Sequence, residues 1–208
     1  MNLRALPVLL AFVFVTGMAT RAQPANTEFT IAKITPDMPT TPAYSFNYGP
    51  KNKKVSKNKN WLEVEVSFAW EPRKKKPEFL DQLTFNYFIL LNNKDRENPK
   101  GTLLTGSVTH VAVPQGKAMN SVMYVSPRTL ERFFGGKVPS NASGTIIDVG
   151  VTITRQGQMV AESSWKGRGQ WWSAYQQTPD YVLNKNETPF APLAWDYYEA
   201  IKSNSAGR

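Results

Sequence analysis

The sequence of 208 residues contains no cysteine and only one histidine. Without cysteine the chain can form neither a disulfide framework nor a thiolate metal site, and a single histidine excludes the common histidine-rich metal centres. The stability of the fold must therefore come from burial of apolar side chains and from backbone hydrogen bonds. We predict no metal and no cofactor.

Long apolar runs are also missing, apart from a short one near the amino terminus. Arg4 precedes an apolar stretch at residues 6–15, and Thr20-Arg21-Ala22 follows as a small-x-small cleavage pattern. The stretch is too short for a membrane-spanning helix and is typical of a secretory signal. Residues 1–22 are therefore predicted to be a signal peptide, the alternative being an uncleaved amphipathic anchor.

The same absences indicate where the protein acts. A secreted chain without cysteine does not resemble the small disulfide-rich domains of eukaryotes, which favours a bacterial envelope protein. No cysteine follows the apolar stretch, which excludes a lipoprotein anchor. We expect the protein in the periplasm, in the outer membrane or on the cell surface.

Residues 61–70, WLEVEVSFAW, carry the clearest structural signal in the chain. Apolar and polar side chains alternate, as in a strand with one buried face and one solvent-facing face. The buried row is Leu62, Val64, Val66, Phe68 and Trp70. Such a strand requires neighbouring strands and an apolar layer that covers its inner face.

Further strands are predicted along the chain, joined by turns. They lie near residues 29–36, 42–50 (a short edge strand), 80–91, 103–113, 119–125, 145–154 and 158–165. A bulge is expected near Gly106, and a tight turn at Gln156-Gly157 is expected to join the last two strands. A short helix should start at Ser126 and Pro127 and end at Gly135, because these residues suit a helix cap, a first turn and a terminus.

This layout predicts a mainly β protein, a two-layer antiparallel β-sandwich of the immunoglobulin-like kind, with one or two short helices. A small barrel remains the alternative. Residues 23–166 would form the sandwich. Residues 167–208, which are rich in tryptophan and tyrosine, would form an arm that ends in a helix over residues 192–202 and packs on the sandwich.

No catalytic constellation is present. His110 lies inside a strand pattern and is interpreted as a hydrogen-bonded strand histidine. Glu63 and Glu65 lie about 7 Å apart on one strand face, which a solvent-facing row explains better than a glycosidase pair. Gly135-Gly136 ends a helix instead of starting one, so it is not a phosphate loop. We therefore predict that the protein is not an enzyme.

Basic side chains concentrate in two segments of this chain, which has a formal net charge of +9. The candidate binding residues there are Lys51, Lys53, Lys54, Lys57, Lys59, Arg73, Lys74, Lys75 and Lys76. The segments flank one strand and lie about 33 Å apart, so they do not form one compact patch. They are either solvated loops or sites that attract an anionic glycan or membrane surface, whereas nucleic acid is disfavoured.

Three aromatic residues of the arm complete the candidate site: Trp171, Trp172 and Tyr175. Their rings could stack on sugars, as in carbohydrate-binding modules. The simpler alternative is that they pack beneath the carboxy-terminal segment.

Three stretches resemble one family in particular: WLEVEVSFAW, HVAVPQGKAMNSVMYVSPRTLERFFGG and SSWKGRGQWW. Together with the predicted signal, they are similar to small secreted immunoglobulin-like proteins encoded with type IV pilus machinery in mucin-degrading Verrucomicrobia. The resemblance implies an outer-membrane or surface location and a non-enzymatic role in pilus assembly or adhesion. The short amino-terminal apolar stretch differs from the long helix of a standard type IV pilin.

We therefore expect a non-enzymatic envelope protein whose partners belong to a pilus or envelope assembly and which could form homo-oligomers. Its working surfaces would be the strand edges, with residues 42–50 as the candidate edge, and the aromatic arm. The alternative function is binding of acidic glycans or of another anionic surface polymer through the basic and aromatic residues named above.

Overall fold

The computed structural model describes residues 28–43, 45–48, 51–54, 58–73, 77–94 and 99–203, with only the backbone for 45–48 and 51–54. The predicted signal peptide, Lys57 and the lysines at 74–76 lie outside the described residues. The strands are β1 (Phe29–Asp37), β2 (Ser45–Tyr48), β3 (Lys51–Lys54), β4 (Leu62–Trp70), β5 (Phe79–Leu91), β6 (Leu103–Pro114), β7 (Gly116–Val125), β8 (Ile146–Arg155), β9 (Gln158–Ser164), β10 (Gln177–Thr178) and β11 (Val182–Asn184).

Nine of these strands form two sheets that face each other. The first sheet has the order β1-β4-β7-β11 and the second the order β10-β6-β5-β8-β9. All pairings are antiparallel except that of β10 with β6. The prediction of a mainly β, two-layer sandwich is confirmed.

The core lies between the two sheets and is built from the alternating rows that the sequence shows. The inner row of β4 is almost completely buried, as are Leu83, Phe85 and Tyr87 of β5. The rings of Phe68 and Phe85 meet edge to face with centroids 4.7 Å apart. Each side chain of this size contributes about 1.5–3 kcal/mol when it is fully buried.

Two short helices lie between β7 and β8, which belong to different sheets: α1 (Pro127–Phe133) and α2 (Ala142–Thr145). The Ser126 side chain accepts a hydrogen bond from the backbone N–H of Thr129 at 3.2 Å, and Pro127 takes the first helical position. Gly135 follows with a φ of 59°. The predicted boundaries of α1 are therefore confirmed.

The predicted hairpin at residues 145–165 is confirmed as well. Arg155 pairs with Gln158, and Gln156 and Gly157 between them have φ values of 49° and 78°. Two consecutive positive φ angles are what a tight hairpin turn needs to match the twist of its strands. Glycine meets this need without strain at the second position.

Three predictions about local structure are wrong. Residues 45–48 do not form an edge of the sandwich; β2 pairs with β3 in a separate hairpin. The irregularity of β6 is at Ala112, whose φ is 51°, and Gly106 stays in register with Tyr87. A Cβ on Gly106 would lie 2.7 Å from Cβ of Val182, so glycine is required there by close packing.

The third wrong prediction is the helix over residues 192–202. Residues 188–200 follow a series of turns, and Ile201 forms a β-bridge to His110. Ala194 has a left-handed φ of 49°, which interrupts a right-handed helix. The short helical pieces in this part of the chain are 3₁₀ turns at Trp171–Ala174 and Lys185–Glu187.

Candidate interaction surfaces

The arm, residues 167–203 in the described structure, first covers the outer face of the second sheet. Trp172 stacks on Phe88 with ring centroids 5.0 Å apart and is only 6% exposed. Trp171 and Tyr175 pack beside it in the same cluster with Leu90 and Leu103. These tryptophans extend the core, which favours the packing interpretation over sugar stacking for Trp172.

The arm then pairs with the edges of both sheets on the same side of the sandwich. β10 joins β6 and β11 joins β7. Farther along, the N–H of Glu199 donates to the carbonyl of Asn120 in β7 at 3.1 Å. The N–H of Lys202 donates to the carbonyl of Thr109 in β6 at 2.8 Å. Residues 199–202 therefore connect the two sheets through backbone hydrogen bonds.

His110 is part of a buried polar chain beneath this tail. Its Nδ1 lies 3.0 Å from the carbonyl of Glu199, its Nε2 lies 2.8 Å from Oγ of Ser121, and Tyr87 donates to that same Oγ at 2.8 Å. A carbonyl can only accept, so Nδ1 carries the proton and Nε2 accepts from Ser121. Both nitrogens are occupied, and burial lowers the pKa of His110 to about 4. This residue has the structural role that the sequence predicts.

The outer face of the first sheet is not simply open to solvent, because the last part of the arm covers it. Trp61 and Tyr124 pack with Phe190 there. The hydroxyl of Tyr198 donates to Glu65 at 2.9 Å. Burial, followed by repulsion from Glu65, raises the pKa of Glu63, although a hydrogen bond from Tyr124 opposes the shift. Glu65 thus anchors the arm and Glu63 is bonded to Tyr124 of β7, so the two carboxylates do not form the free solvent-facing row that the sequence predicts.

The arm also leaves a groove along β6. β10 covers one end of the β6 edge at Leu103 and Leu104, and residues 200–202 cover the other end from 109 to 111. Between them remains a groove with a volume of about 690 Å³. Its lining includes Asn86, Thr105, Ser107, Thr109, Gln177, Pro179, Asp180, Asn184, Glu187, Ile201 and Lys202.

The predicted basic residues are not brought together by the described structure. Lys59 precedes β4 and Arg73 follows it, so they lie at opposite ends of that strand as predicted. Nζ of Lys59 forms an ion pair of 2.7 Å with Glu131 of α1. Lys51, Lys53 and Lys54 lie on β3, whose backbone alone is described.

Sequence reasoning missed the exposed aromatic residues of the arm. Trp195 is 75% exposed and Tyr197 is 51% exposed, whereas Trp172 is nearly buried. The sequence around Trp172 and around Trp195 does not indicate which of the two is buried, since both tryptophans lie among turn residues. Only the path of the arm over the sheets decides which ring faces solvent.

The opposite side of the sandwich carries the other two edges, formed by β1 and β9. β1 is protected in three ways: a register shift between Ile31 and Lys33, the exposed charge of Lys33, and Pro36, which has no N–H. β9 has an exposed Met159 followed by Val160 and Ala161. Of the edges in the described part of the chain, β9 is therefore the better template for an added strand.

A family model matches residues 20–205, which is nearly the whole chain. The chain belongs to that family. The fold is similar to that in a crystal structure of a protein from Akkermansia muciniphila, which this chain matches with a TM-score of 0.69 and 27% sequence identity. The match covers 85% of this chain and 93% of that protein. No curated protein matches.

These comparisons confirm part of the predicted resemblance, because the organism of the matching structure is a Verrucomicrobium. Association with pili and secretion stay predictions. Among the described residues, no helix is long and apolar enough to span a membrane, and no group of three potential ligands from His, Asp or Glu is placed to hold a metal ion.

Proposed function

We propose that this chain is a non-enzymatic surface protein of the bacterial envelope that takes part in type IV pilus assembly or adhesion. Three observations support the proposal: the sequence resemblance, the match to a structure from a Verrucomicrobium, and an architecture built for contact. Segments of the arm pack on both outer faces, and both ring nitrogens of His110 have hydrogen-bond partners. The surfaces that the described residues leave for a partner are strand edges and grooves.

The observation that carries the proposal is the edge of β9, which has no hydrogen-bonded strand on its outer side among the described residues, although β1 of the other sheet lies close to it. Trp165 donates its N–H to the carbonyl of Val149 at 2.8 Å, and Val149 lies opposite Trp165 in the antiparallel register. Backbone groups alternate along a strand, so Ser163 also faces β8, whereas Glu162 directs its N–H and carbonyl away from the sheet. An extended segment of a partner can add to the sheet at this point through main-chain hydrogen bonds.

A proline at position 162 tests this geometry. Glu162→Pro removes one outward N–H without removing a hydrogen bond to β8, and proline is tolerated on edge strands. Glu162→Ala is the matched control, because both variants lose the side-chain contact with Gln170. The purified proteins are used to capture partners from envelope extract of the producing bacterium, and the captured proteins are identified by mass spectrometry.

We expect the wild-type protein and Glu162→Ala to capture pilus components. Glu162→Pro should capture far fewer of them, although the melting temperature of this variant should stay close to that of Glu162→Ala. Capture of pilus components by all three proteins alike would refute the β9 edge as the docking site. Failure of the wild-type protein to capture any of them would refute the pilus assignment.

The alternative function, binding of acidic glycans, rests on the basic segments and on the aromatic cluster. Lys59 is already paired with Glu131, and the face of Trp172 is covered by Phe88, so no contact among the described residues favours it. This alternative predicts that the protein is retained on a sulfated polysaccharide column and that the retention falls as salt is added. It also predicts that a variant combining Lys74→Gln, Lys75→Gln and Lys76→Gln is no longer retained. Both results together would support glycan binding.

A further inference from the structure

The groove along β6 has the size of a ligand site, and its lining is mainly polar. Its volume of about 690 Å³ is within the range of about 300–1,000 Å³ that pockets for small ligands have. The groove exists because the arm leaves the β6 edge after β10 and returns to it only at Ile201. Both ends are therefore fixed by backbone pairing, which gives the site a preformed shape.

The main chain of β6 contributes hydrogen-bonding groups to this groove. Thr109 accepts from the N–H of Lys202, and Val111 donates to the carbonyl of Ala200. Residues 109 and 111 thus face the arm, and by the alternation of a strand Ser107 faces the same way. No strand of the described arm lies opposite Ser107, so its N–H and carbonyl are available to a ligand.

Several side chains add short neutral or acidic groups to the same place. Thr105, Ser107, Gln177 and Asp180 line the groove, and their side chains make no hydrogen bond or ion pair with the residues that the structure describes. Hydroxyls, an amide and a carboxylate can donate to and accept from the hydroxyl groups of a ligand.

The charge of the groove selects against anions, although the chain as a whole is basic. Lys202 is the cation in the lining, and its Nζ lies 3.3 Å from Oε1 of Gln82. Glu187 accepts from the N–H of Asn184 at 2.9 Å within the arm. Asp180 and Glu187 thus place two carboxylates in the lining against one cation, Lys202, which disfavours a phosphate, sulfate or uronate relative to a neutral ligand.

Asp180 has a further property that sets it apart from the other lining residues. Its φ of 72° lies in the left-handed region, where a residue other than glycine is strained by about 1 kcal/mol. Glycine would remove this strain and would lose the carboxylate. Asp180 directly follows Pro179, and both residues line the groove.

We propose that this groove binds a short neutral oligosaccharide. The Asp180 carboxylate accepts hydrogen bonds from two neighbouring sugar hydroxyls, Ser107 and Gln177 bind further hydroxyls, and Pro179 and Ile201 pack against the C–H faces of the rings. The site differs in place and in charge preference from the basic segments and from the aromatic cluster around Trp172.

The test is a titration of ¹⁵N-labelled protein, followed by NMR, with four probes: maltotetraose, cellotetraose, chitotetraose and, as the anionic comparator, tetragalacturonate. We expect at least one neutral probe to shift the amide signals of Ser107, Gln177 and Asp180 saturably, and tetragalacturonate to bind at least tenfold more weakly. Absence of saturable shifts at the groove with all three neutral probes, or equal binding of the anionic probe, would overturn the proposal.

Variants at Asp180 separate a binding role from a folding role. Asp180→Gly and Asp180→Asn both remove the charge and both tolerate the left-handed φ, so both are expected to fold with an unchanged or higher melting temperature. Each should weaken binding of the neutral probe at least tenfold, whereas the control Asp196→Asn, at an exposed position of the arm outside the groove lining, should not. Unchanged affinity in Asp180→Gly would refute the role of the carboxylate.

Discussion

Protonation of His110 should destabilise the fold, and the size of the effect follows from its burial. The ring is 1% exposed and burial lowers its pKa from 6.5 to about 4. A difference of about 2.5 pKa units corresponds to about 3 kcal/mol, at about 1.4 kcal/mol per unit. Burial is the main cause, because the charged ring would lose its hydration. The hydrogen bonds act in the same direction at Nε2: once protonated it would have to donate to Ser121, whose own hydroxyl proton would then lose its acceptor.

The sign of the pH dependence is fixed by the two pKa values. Between pH 6.5 and about 4 the unfolded chain binds a proton on His110 that the folded chain does not bind. The free energy of unfolding should therefore fall as the pH is lowered through this window, and the loss should be complete below pH 4 or so. Glu63 and Glu199, whose pKa values are raised by burial, act in the opposite direction.

The assay is urea unfolding followed by tryptophan fluorescence, from pH 7.5 to 3.5, for the wild type and for His110→Asn. The variant keeps a donor near the position of Nδ1 and cannot titrate, so the difference between the two curves isolates His110. We expect the wild type to lose about 3 kcal/mol relative to the variant across the window.

An independent measurement uses the fact that the chain has a single histidine. One imidazole signal in the proton NMR spectrum reports its titration without ambiguity. A folded-state midpoint near 6.5, or parallel unfolding curves for the two proteins, would refute the low pKa of His110 and the reasoning from its burial.

Three further predictions concern the contacts of the arm and of α1. A Cβ at Gly150 would lie 2.2 Å from the Trp172 ring, so Gly150→Ala should lower the free energy of unfolding by about 1–3 kcal/mol, and Trp172→Ala should lower it by about 3–5 kcal/mol. In chemical denaturation of the double variant, most of the loss caused by alanine at position 150 should disappear, because the ring it collides with is gone. Full additivity of the two losses would contradict the contact. Lys59→Ala should lower the free energy of unfolding by at most about 1 kcal/mol, and by less at high salt, because the side chains of the Lys59–Glu131 ion pair are 41% and 43% exposed. A larger loss that does not depend on salt would contradict a solvent-screened ion pair. Removal of residues 199–208 should lower the melting temperature in calorimetry and raise the pKa of His110 toward 6.5, because the cover that buries the ring is lost; loss of the Glu199 carbonyl, whose hydrogen bond raises this pKa, opposes part of the shift, and an unchanged midpoint would refute the role of burial.

The features that sequence alone predicted are those that local periodicity or turn chemistry determines. The inner row of β4 follows from strict alternation, α1 from its cap at Ser126, and the β8–β9 hairpin from Gln156-Gly157. In each case the residues that specify the element are neighbours in the chain, and the tertiary structure does not oppose their preference.

The path of the arm could not be predicted in the same way. Its apolar residues at 193–201 have helical spacing, but the backbone groups of residues 199–202 bond to β6 and β7, which lie about eighty to ninety residues earlier in the chain. The bulge predicted at Gly106 is wrong for a related reason: glycine is needed there because Val182 of the arm packs closely against it, and no local pattern shows that contact. The groove and the exposed Trp195 arise from this long-range pairing, so no local pattern marks them.

The pairing of residues 199–202 with both sheets has a consequence for biosynthesis. During synthesis the edges of β6 and β7 stay without these partners until residues 199–202 have themselves been translated. A product that stops before residue 199 would leave the carbonyls of Thr109 and Asn120 without these donors and would lose the carbonyl that accepts from His110. The two sheets can therefore be linked along this side only late in synthesis, after both of them have been made.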